Sequence, residues 1–597
     1  MKTAVIIHTI ADAKHCIEND WVKNNLLFST HASVDVYLSE YHGVESRCLS
    51  AYLTTEEILE ISDTTSKLID LLVEDLDQSI SVNINNHLGL RMKWFEPLYS
   101  YMGKHHLQGY LCFVEATKKA LEDNQLERLY LYNTNFNSFF STTSNLRDII
   151  PLFPRGIRYD LIEYSYPVVR ENNGSSFFSR IIPMIKTNAD SLLMEALRRL
   201  IMFGNERFYS KHKKTIICDF SYNLKFLMYS LFKKYNLIES SVFSGGKRNP
   251  SNTQGLNIPN IGVDSIHATV FDDDQLSLIA ILLKDISEDI QTNINRYADA
   301  VLGLRAYHIR NPIALGITGS PPTEKAKALC FEYLRSEKVK VLIGQHGCLY
   351  GEIYFPWHFN SDFNRCDAFI SYGFNNEDIR RLYPEQKNYP EIYPFGYISP
   401  KISRKKKSPI DLLFPITNTM SMLNAGMSMS RIPPDRLLEK QVKLLEYLNS
   451  LKTRNVYVKL FPYSDQENCA ILPFLKEFSN LNVVNNMNLI RFLKLFHPEA
   501  VLIEYPSQPL VEVIGLNTEI FLIPDDSLPY EANALEKLKK RVHYCQTVEE
   551  SILKMGRFFQ GDLERKRDRS YLDYYVHKEN SKDNIVNIVN RFVESAS

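Results

Sequence analysis

The sequence predicts an α/β protein with two domains, each built from a parallel sheet covered by helices. Apolar segments typical of strands alternate with amphipathic segments typical of helices along most of the chain. A stretch at 396–410, with prolines, a basic cluster and no apolar periodicity, separates two such series. The chain has 597 residues, which is more than one hydrophobic core usually serves. We therefore predict an N-terminal domain at 1–395, a linker at 396–410 and a C-terminal domain at 411–597.

Six segments of the N-terminal half are predicted strands: TAVIIHT, VDVYLSE, RLYLYNT, KTIICDF, PIALGIT and KVKVLIGQHG. Thr54 and Glu57 have the spacing of a capping box and predict the start of a helix. Further helices are predicted over SYNLKFLMYSLFKKY, over 275–305 and over TEKAKALCFEYLRS. The region at about 151–310 is rich in helix and loop, and we predict it to be an elaboration of the first sheet.

The C-terminal half repeats the alternation. DLLFPIT, NVYVKLF, LNVVNN, AVLIEY and EIFLI are predicted strands, and PDRLLEKQVKLLEYLNSLK and PFLKEFSN are predicted helices. Open parallel sheets bind ligands where the carboxyl ends of the strands meet the amino ends of the helices. A cleft between the two domains is therefore the expected ligand site.

Composition narrows the class of protein. The 69 basic and 70 acidic residues nearly cancel, which argues against a protein that coats nucleic acid. Nine scattered cysteines without a Cys-x-x-Cys pair are typical of a reducing compartment. The longest apolar run, at 276–283, is far shorter than the ~20 residues of a membrane span. We expect a cytoplasmic protein, with peripheral attachment to the inner membrane as an alternative.

The segment GQHGCLYGE places Gln345, His346 and Gly347 directly after a predicted strand. Side chains at this point would face the cleft, where Gln345 and His346 could bind a substrate with the help of Tyr350 or Glu352. The alternative is a turn in which His346 only satisfies buried backbone groups.

A second motif, VLIEYPSQPLVEV, ends a strand on Glu504 and starts a helix after Ser507. Free N–H groups at such a helix start bind anions, so Ser507 and Gln508 are candidate donor ligands, and Glu512 could accept hydrogen bonds from a ribose. Glu504 at the end of the strand, and Gly347 in the first motif, are further candidate donor contacts. Lys459, at the end of NVYVK, could pair with a phosphate. The alternatives are an ordinary strand-to-helix turn and a solvated lysine.

Other kinds of site fit poorly. FSGGKRNPS lacks the glycine spacing of a phosphate loop, and there is no Gly-x-Ser-x-Gly elbow. His346, Cys348, His358 and Cys366 do not have the spacing of a structural zinc site. We expect no metal and no cofactor.

Taken together, GQHGCLYGE, CDAFISYGF, VYVKLFP and EYPSQPLVEV resemble a family of bacterial surface-polysaccharide transferases, in which a Gln-His-Gly segment precedes an Asp-x-Phe-x-Ser/Thr-x-Gly strand. That family resembles the retaining β-Kdo transferases of lipopolysaccharide, O-antigen and capsule assembly. The resemblance covers mainly 312–580 and rests on the overall plan for 1–310. It implies a GT-B-like architecture of two Rossmann-like domains facing a central cleft, with the acceptor on the N-terminal domain, the nucleotide-sugar donor on the C-terminal domain and no metal.

The resemblance also implies roles for individual residues of the donor site. Ser507 and the amides after it would hold the donor phosphate, Glu512 would contact the ribose, and Lys459 would line the nucleotide pocket. One position differs: many CMP-sugar transferases of this architecture have His-Pro where this chain has Phe461 and Pro462, so one phosphate donor is missing.

In the β-Kdo transferases, a carboxylate of the N-terminal domain attacks the sugar and forms a covalent adduct, which accounts for retention. Asp219, at the end of KTIICDF, is the acid best placed for this role. Asp160, Glu163 and Asp264 remain alternatives.

The leading hypothesis is a cytoplasmic glycosyltransferase that extends a lipid-linked glycan from a nucleotide-activated sugar, with a CMP-linked ulosonic acid such as Kdo as the implied donor. A nucleotide-sugar epimerase of similar plan and a non-catalytic scaffold of the assembly complex are the alternatives. Basic runs at 404–407, 537–541 and 565–569 are either solvated surface or contacts to an anionic membrane.

Overall fold

A computed structural model describes residues 2–132, 150–162, 212–219, 224, 227–244, 258, 260–266, 273–322, 324–347, 349–355, 359–397, 408–418, 433–461, 469–524 and 529–595. Within these residues, the chain forms three parallel sheets, each flanked by helices. The α/β class and the Rossmann-like arrangement of parallel strands predicted from the sequence are confirmed.

The first sheet has five parallel strands in the order β3-β2-β1-β4-β5. Its strands are β1 (Thr3–Ile7), β2 (Leu26–Ser29), β3 (Arg47–Cys48), β4 (Arg128–Tyr132) and β5 (Arg158–Ile162). The helices of this region are α1 (Ile10–Glu18), α2 (Ala32–His42), α3 (Thr55–Ser79), α4 (Ser81–Leu88) and α5 (Phe95–Asn124). The predicted capping box at the start of α3 is present, with Thr54 and Glu57 each bonded to the other's backbone N–H.

The second sheet has six parallel strands in the order β11-β10-β9-β8-β6-β7. Its strands are β6 (Thr215–Asp219), β7 (Asn236–Glu239), β8 (Ile313–Thr318), β9 (Val341–Gly344), β10 (Ala368–Ser371) and β11 (Glu391–Pro394). The helices are α6 (Leu227–Leu231), α7 (Ser241–Ser244), α8 (Asp273–Arg310), α9 (Lys325–Ser336) and α10 (Asn376–Leu382), with a π-helical turn at Phe359–Phe363.

The third sheet also has six parallel strands, in the order β14-β13-β12-β15-β16-β17. Its strands are β12 (Ser408–Pro415), β13 (Val456–Lys459), β14 (Leu481–Val484), β15 (Phe496–Ile503), β16 (Glu519–Leu522) and β17 (His543–Tyr544). The helices are α11 (Pro434–Ser450), α12 (Leu472–Leu475), α13 (Leu489–Leu495), α14 (Gln508–Val513), α15 (Ala532–Arg541), α16 (Val548–Gln560) and α17 (Ser581–Ser595).

The segment VDVYLSE, predicted as a strand, lies inside helix α2, so that prediction is wrong. The buried residues Val34 and Leu38 are four apart and lie on one face of the helix, a spacing that an alternating pattern also contains. His31 accepts the N–H of Ser33 at the helix start, and Gly43 ends the helix with φ +62°. The strand of this region is β2, a short apolar run before the helix.

The described residues contain three sheets where the sequence predicted two. In the predicted elaboration at about 151–310, β5 pairs with β4 of the first sheet, whereas β6 pairs with β7 and with β8 of the second sheet. Strands of four or five residues give little periodic signal in a sequence. The proposed boundary between the two domains near 395 stays a prediction.

One apolar core connects these units. It contains residues of helices α3, α4 and α5, of the second sheet and of one side of the third sheet. Its members include Leu72, Phe369, Ile503 and Val589. Helix α17 returns from the third sheet to pack on the second, where Lys214 Nζ donates to the carbonyl of Val593 at 2.8 Å. The second and third sheets are therefore held together through shared apolar packing as well as through the chain connection.

Across the described residues, no helix has the length and apolar character to cross a membrane. The eight cysteines in the same part of the chain are free and buried.

Candidate functional site

Strand order indicates where ligands would bind. In the second sheet the chain runs outward from β6 to β7, then returns to continue through β8 on the other side. In the third sheet it reverses in the same way between β12 and β15, and the order β14-β13-β12-β15-β16-β17 is that of dinucleotide-binding folds. Because helices leave in opposite directions at such a reversal, a crevice opens at the carboxyl ends of the two strands.

Asp219 lies at the reversal point of the second sheet. It is the last residue of β6 and is in register with Thr318, the last residue of β8. Its carboxylate is 3.6 Å from Lys327 Nζ and is one-quarter exposed. The structure therefore places Asp219 at the sheet edge that the sequence predicted, beside a cation and open to solvent.

His346 follows β9, two strands away from Asp219 in the same sheet, which is a lateral spacing of about 10 Å. The Tyr350 hydroxyl is 3.1 Å from His346 Nε2 and donates to Asp362 Oδ1 at 2.9 Å. Because its single proton goes to Asp362, Tyr350 accepts the N–H of the histidine. Asp362, from the π-helical turn, thus orients His346 through Tyr350.

Burial lowers the pKa of His346, and the nearby Asp362 carboxylate opposes that shift. The imidazole is therefore neutral near pH 7 and able to take a proton. Sequence reasoning missed Asp362, because it lies sixteen positions after His346 and no motif joins the two.

Gln345 and Glu352 are engaged within the protein, and the substrate roles predicted for them stay predictions. Both ends of the Gln345 amide bond to backbone: Nε2 donates to the carbonyl of Gly347 at 2.7 Å, and Oε1 accepts the N–H of Tyr372 at 2.7 Å. Glu352 is buried, accepts the Tyr571 hydroxyl, and has its pKa raised to about 8 by burial. Gln345 holds the loop, and Glu352 is a protonated carboxyl inside the contact with the C-terminal region.

Of the two glycines in this loop, only Gly351 is required by the backbone. It has φ +76°, and a Cβ there would lie 2.3 Å from Phe374 Cγ. A Cβ on Gly347 would meet no atom within 4 Å. The predicted donor contact at Gly347 remains untested.

We expect Gly351→Ala to lower the free energy of unfolding by about 3 kcal/mol, because left-handed backbone strain adds to overpacking against a buried ring. Thermal unfolding measures this, with Gly347→Ala as the matched control that should leave the midpoint unchanged. Equal midpoints for both variants would contradict the loop conformation described here.

At the reversal point of the third sheet, Glu504 ties the two central strands together. It lies directly after β15, is buried, and accepts the N–H of Thr417 at the end of β12. The Gln441 amide also donates to it at 3.1 Å, and burial raises the pKa of Glu504 to about 6. Glu504 thus links the ends of the two strands beside the reversal point, and the donor contact predicted for it stays a prediction.

The other predicted donor residues gather beside this reversal point. Gln508 Nε2 is 3.4 Å from Glu512 Oε1. Burial raises the pKa of Glu512 to about 7 and lowers that of Lys459 to about 8. Against these shifts, the charge of Glu512 raises the pKa of Lys459, and the charge of Lys459 lowers the pKa of Glu512. Ser507 occupies the N-cap position of α14, but its side chain makes no capping hydrogen bond. Gln508 Oε1 is buried and has no hydrogen-bond partner among the described residues.

Two tyrosines that the sequence analysis missed connect the two crevices. Tyr372 directly follows β10, and its backbone N–H donates to Gln345. Its ring packs edge-on against that of Tyr397, with the two ring centroids 5.3 Å apart. Tyr397 lies just after β11, and its hydroxyl accepts Gln508 Nε2 at 3.3 Å. These contacts bring the carboxyl edges of the second and third sheets together, from the loop that holds His346 to the start of α14.

The alternative acids are placed differently. Asp160 lies in the first sheet and pairs with Arg128 and with Arg158, the latter at 3.3 Å. Asp264 is in a short 3-10 turn at Val263–Ser265, and Glu163 lies outside the described residues. Cys348 and His358, considered above with His346 and Cys366, also lie outside them, and the described part of the chain contains no group of three or more metal-binding side chains.

Residues 186–495, just over half of the chain, match the family model of the LIC12162 family transferases. The chain belongs to the LIC12162 transferase family. The matched region contains Asp219, the His346 loop and Lys459, and it ends before Glu504 and helix α14. The match therefore includes the whole carboxyl edge of the second sheet.

Several solved structures are similar to this transferase at low identity. A UDP-N-acetylglucosamine 2-epimerase has 11% identity and a TM-score of 0.36, covering 64% of this chain and 97% of its own. The UDP-GlcNAc 2-epimerase from Neisseria meningitidis bound to UDP-GlcNAc has 10% identity and a TM-score of 0.34, covering 66% and 95%. The glycosyltransferase VinC in complex with dTDP has 9% identity and a TM-score of 0.30, covering 64% and 99%. These scores are too low to assign a function, and no curated protein matches the sequence.

Proposed function

We propose that this transferase is a glycosyltransferase of bacterial surface-polysaccharide synthesis, which moves a sugar from a nucleotide-activated donor to a glycan acceptor. The donor that the sequence resemblance implies is a CMP-linked ulosonic acid such as Kdo. A cytoplasmic location, with peripheral contact to the inner membrane where a lipid-linked acceptor would lie, is part of the same proposal.

The observation that supports this proposal most is the contact between the carboxyl edges of the second and third sheets. A transferase must hold a donor and an acceptor together and exclude water from between them. The contact from Tyr372 through Tyr397 to Gln508 brings the His346 loop of one sheet to the reversal point of the other. One edge can therefore hold the nucleotide while the other presents the reacting groups.

The nucleotide is placed at the third sheet, between β12 and β15. Its phosphate would lie at the start of α14, near Ser507 and Lys459, and its ribose hydroxyls would bond to Glu512. The unused oxygen of Gln508 can accept a donor hydroxyl or amine. The pKa of Lys459 is about 8 and that of Glu512 is about 7, so both groups titrate near neutral pH. The negative charge of a bound phosphate would favour the protonated, positively charged form of Lys459.

The second sheet supplies the chemistry. In a retaining reaction, an Asp219 oxygen forms a bond to the anomeric carbon while the bond from that carbon to the nucleotide phosphate oxygen breaks, and the nucleotide leaves with the electron pair. An acceptor hydroxyl then attacks the same carbon, Asp219 leaves as a carboxylate, and neutral His346 takes the hydroxyl proton. The acceptor would occupy the side of the cleft formed by the residues before 395.

A panel of nucleotide sugars, incubated with and without a glycan acceptor, tests the reaction class. Product formed only when acceptor is present supports transfer. Turnover of the donor without acceptor would indicate a nucleotide-sugar epimerase, and no turnover with any donor would indicate a scaffold.

We expect Glu512→Ala and Ser507→Ala each to weaken nucleotide binding by roughly 1 to 3 kcal/mol, the usual cost of losing a partner to a charged or buried group. Calorimetric titration with the nucleotide of the accepted donor measures this. Glu499→Ala, on the exposed side of β15, is the control and should bind like the parent protein. Unchanged affinity in both test variants would remove the donor from this helix.

A further inference from the structure

Two basic runs of the sequence converge beside the third sheet. The first ends helix α15, the second lies at 565–569, and they meet beside the edge strand β17. Lys566 Nζ donates to the carbonyl of Lys539, which joins the two runs directly. Between them is a cavity of about 690 Å³, whose lining includes Lys539, Tyr544, Lys554, Arg565 and Lys566. The convergence creates a concentrated positive site that neither run forms alone.

Three of these cations have no carboxylate partner within the part of the chain that the structure describes. They are Lys539, which lies over the Tyr544 ring at 4.7 Å, Arg565, which lies over the Phe558 ring at 5.9 Å, and Lys566. Other cations nearby are paired, since Lys540 contacts Glu536 and Lys554 contacts Glu550, each at 2.6 Å.

The acids of the lining do not cancel this charge. The lining has six lysine and arginine side chains against three carboxylates. Of these carboxylates, Glu550 pairs with Lys554, and Asp568 accepts the N–H of Ser570 at 2.8 Å. Glu564 is the remaining carboxylate of the lining and acts on Lys566 at a distance. Burial, and then the charge of Lys554, lower the pKa of Lys566, so a bound anion would relieve an existing repulsion.

The cavity is separate from the proposed donor cleft. The cavity lies along the edge strand β17 and shares no lining residue with the proposed donor site, whose residues lie at the carboxyl ends of β13 and β15 and at the start of α14. Ligands at the two places would not compete for the same groups.

We propose that this cavity is a second binding site, specific for a phosphate-bearing group. Lysine ammonium groups bind phosphate as point charges, and an arginine binds two phosphate oxygens at once. The volume accommodates a diphosphate together with part of the group it is attached to. The same chemistry is presented by a soluble phosphorylated compound and by the headgroup of an anionic lipid, and the site stands independently of the transfer reaction.

The test variant combines Lys539→Gln, Arg565→Gln and Lys566→Gln in the full-length protein. A control with the same change in net charge combines Lys443→Gln, Lys452→Gln and Lys494→Gln, three exposed lysines on other faces of the domain. Thermal unfolding establishes that both variants are folded, and Lys539→Gln with Arg565→Gln alone replaces the triple variant if loss of the Lys566 contact destabilises it.

One arm titrates pyrophosphate into each protein by calorimetry, and the other sediments each protein at low salt with phosphatidylglycerol or phosphatidylcholine vesicles. We expect the test variant to bind about tenfold more weakly than the parent and the control in at least one arm. A loss confined to pyrophosphate identifies a soluble ligand, and a loss with phosphatidylglycerol vesicles identifies a lipid headgroup. Equal binding by all three proteins in both arms would overturn the proposal.

Discussion

Asp219→Asn is expected to lower the turnover of this transferase by about 10³-fold or more while leaving it folded. The substitution keeps the size and the hydrogen-bonding capacity of the side chain but removes the negative charge that would attack the anomeric carbon. Its carboxylate is one-quarter exposed and lies 3.6 Å from Lys327 Nζ, and a partly exposed ion pair of this length contributes little to stability. Initial rates with the accepted donor and acceptor measure the effect.

Asp160→Asn and Asp264→Asn are the matched controls, because both acids were alternatives on sequence grounds and lie elsewhere in the fold. Mass spectrometry of the parent protein after incubation with donor alone should also show a glycosyl adduct on the peptide that contains Asp219. A normal rate for Asp219→Asn together with a large loss in one of the controls would move the nucleophile to that residue.

His346→Ala is expected to reduce turnover by about 10²-fold with a nearly unchanged unfolding midpoint. A positioned acid or base contributes about this much, and the His346 side chain is 21% exposed, so its removal leaves little empty space in the core. Tyr350→Phe should give a smaller loss, because it keeps the ring packing and removes the hydroxyl between His346 and Asp362. The pH dependence of the rate in Tyr350→Phe reports whether that hydroxyl sets the protonation of the histidine.

His497→Ala, in β15 at the other end of the third sheet, is the control and should affect neither rate nor stability. If the His346→Ala variant instead unfolds at a much lower temperature and loses activity for that reason, the role of His346 is structural. That result would support the alternative interpretation of the sequence, in which His346 only satisfies buried backbone groups.

Sequence patterns located the strand ends well because each is marked by a buried apolar run followed by a polar residue. Asp219, His346 and Lys459 all lie where those runs stop. The patterns could not show what each polar side chain contacts, since this depends on residues far away in the chain. Glu352 appeared as available as His346, yet Tyr571, more than 200 positions later, buries it.

The errors in the fold have a similar origin. An alternation of apolar residues such as that at 34–40 is compatible with a strand and with one face of a helix, and the neighbouring capping contacts decide between them. The second sheet was missed as a separate unit because β6 and β7 are short and far from β8 in the sequence. Only long-range pairing separates them from the first sheet.

A crystal structure with the nucleotide product of the accepted donor is the most direct test of a donor site in the cleft between the second and third sheets. The expected result is a phosphate at the start of α14, between the ends of β12 and β15, with the ribose near Glu512 and the sugar-bearing side directed toward Asp219 and His346. A nucleotide bound at the carboxyl edge of the first sheet, or in the basic cavity beside β17 with the cleft empty, would contradict this account.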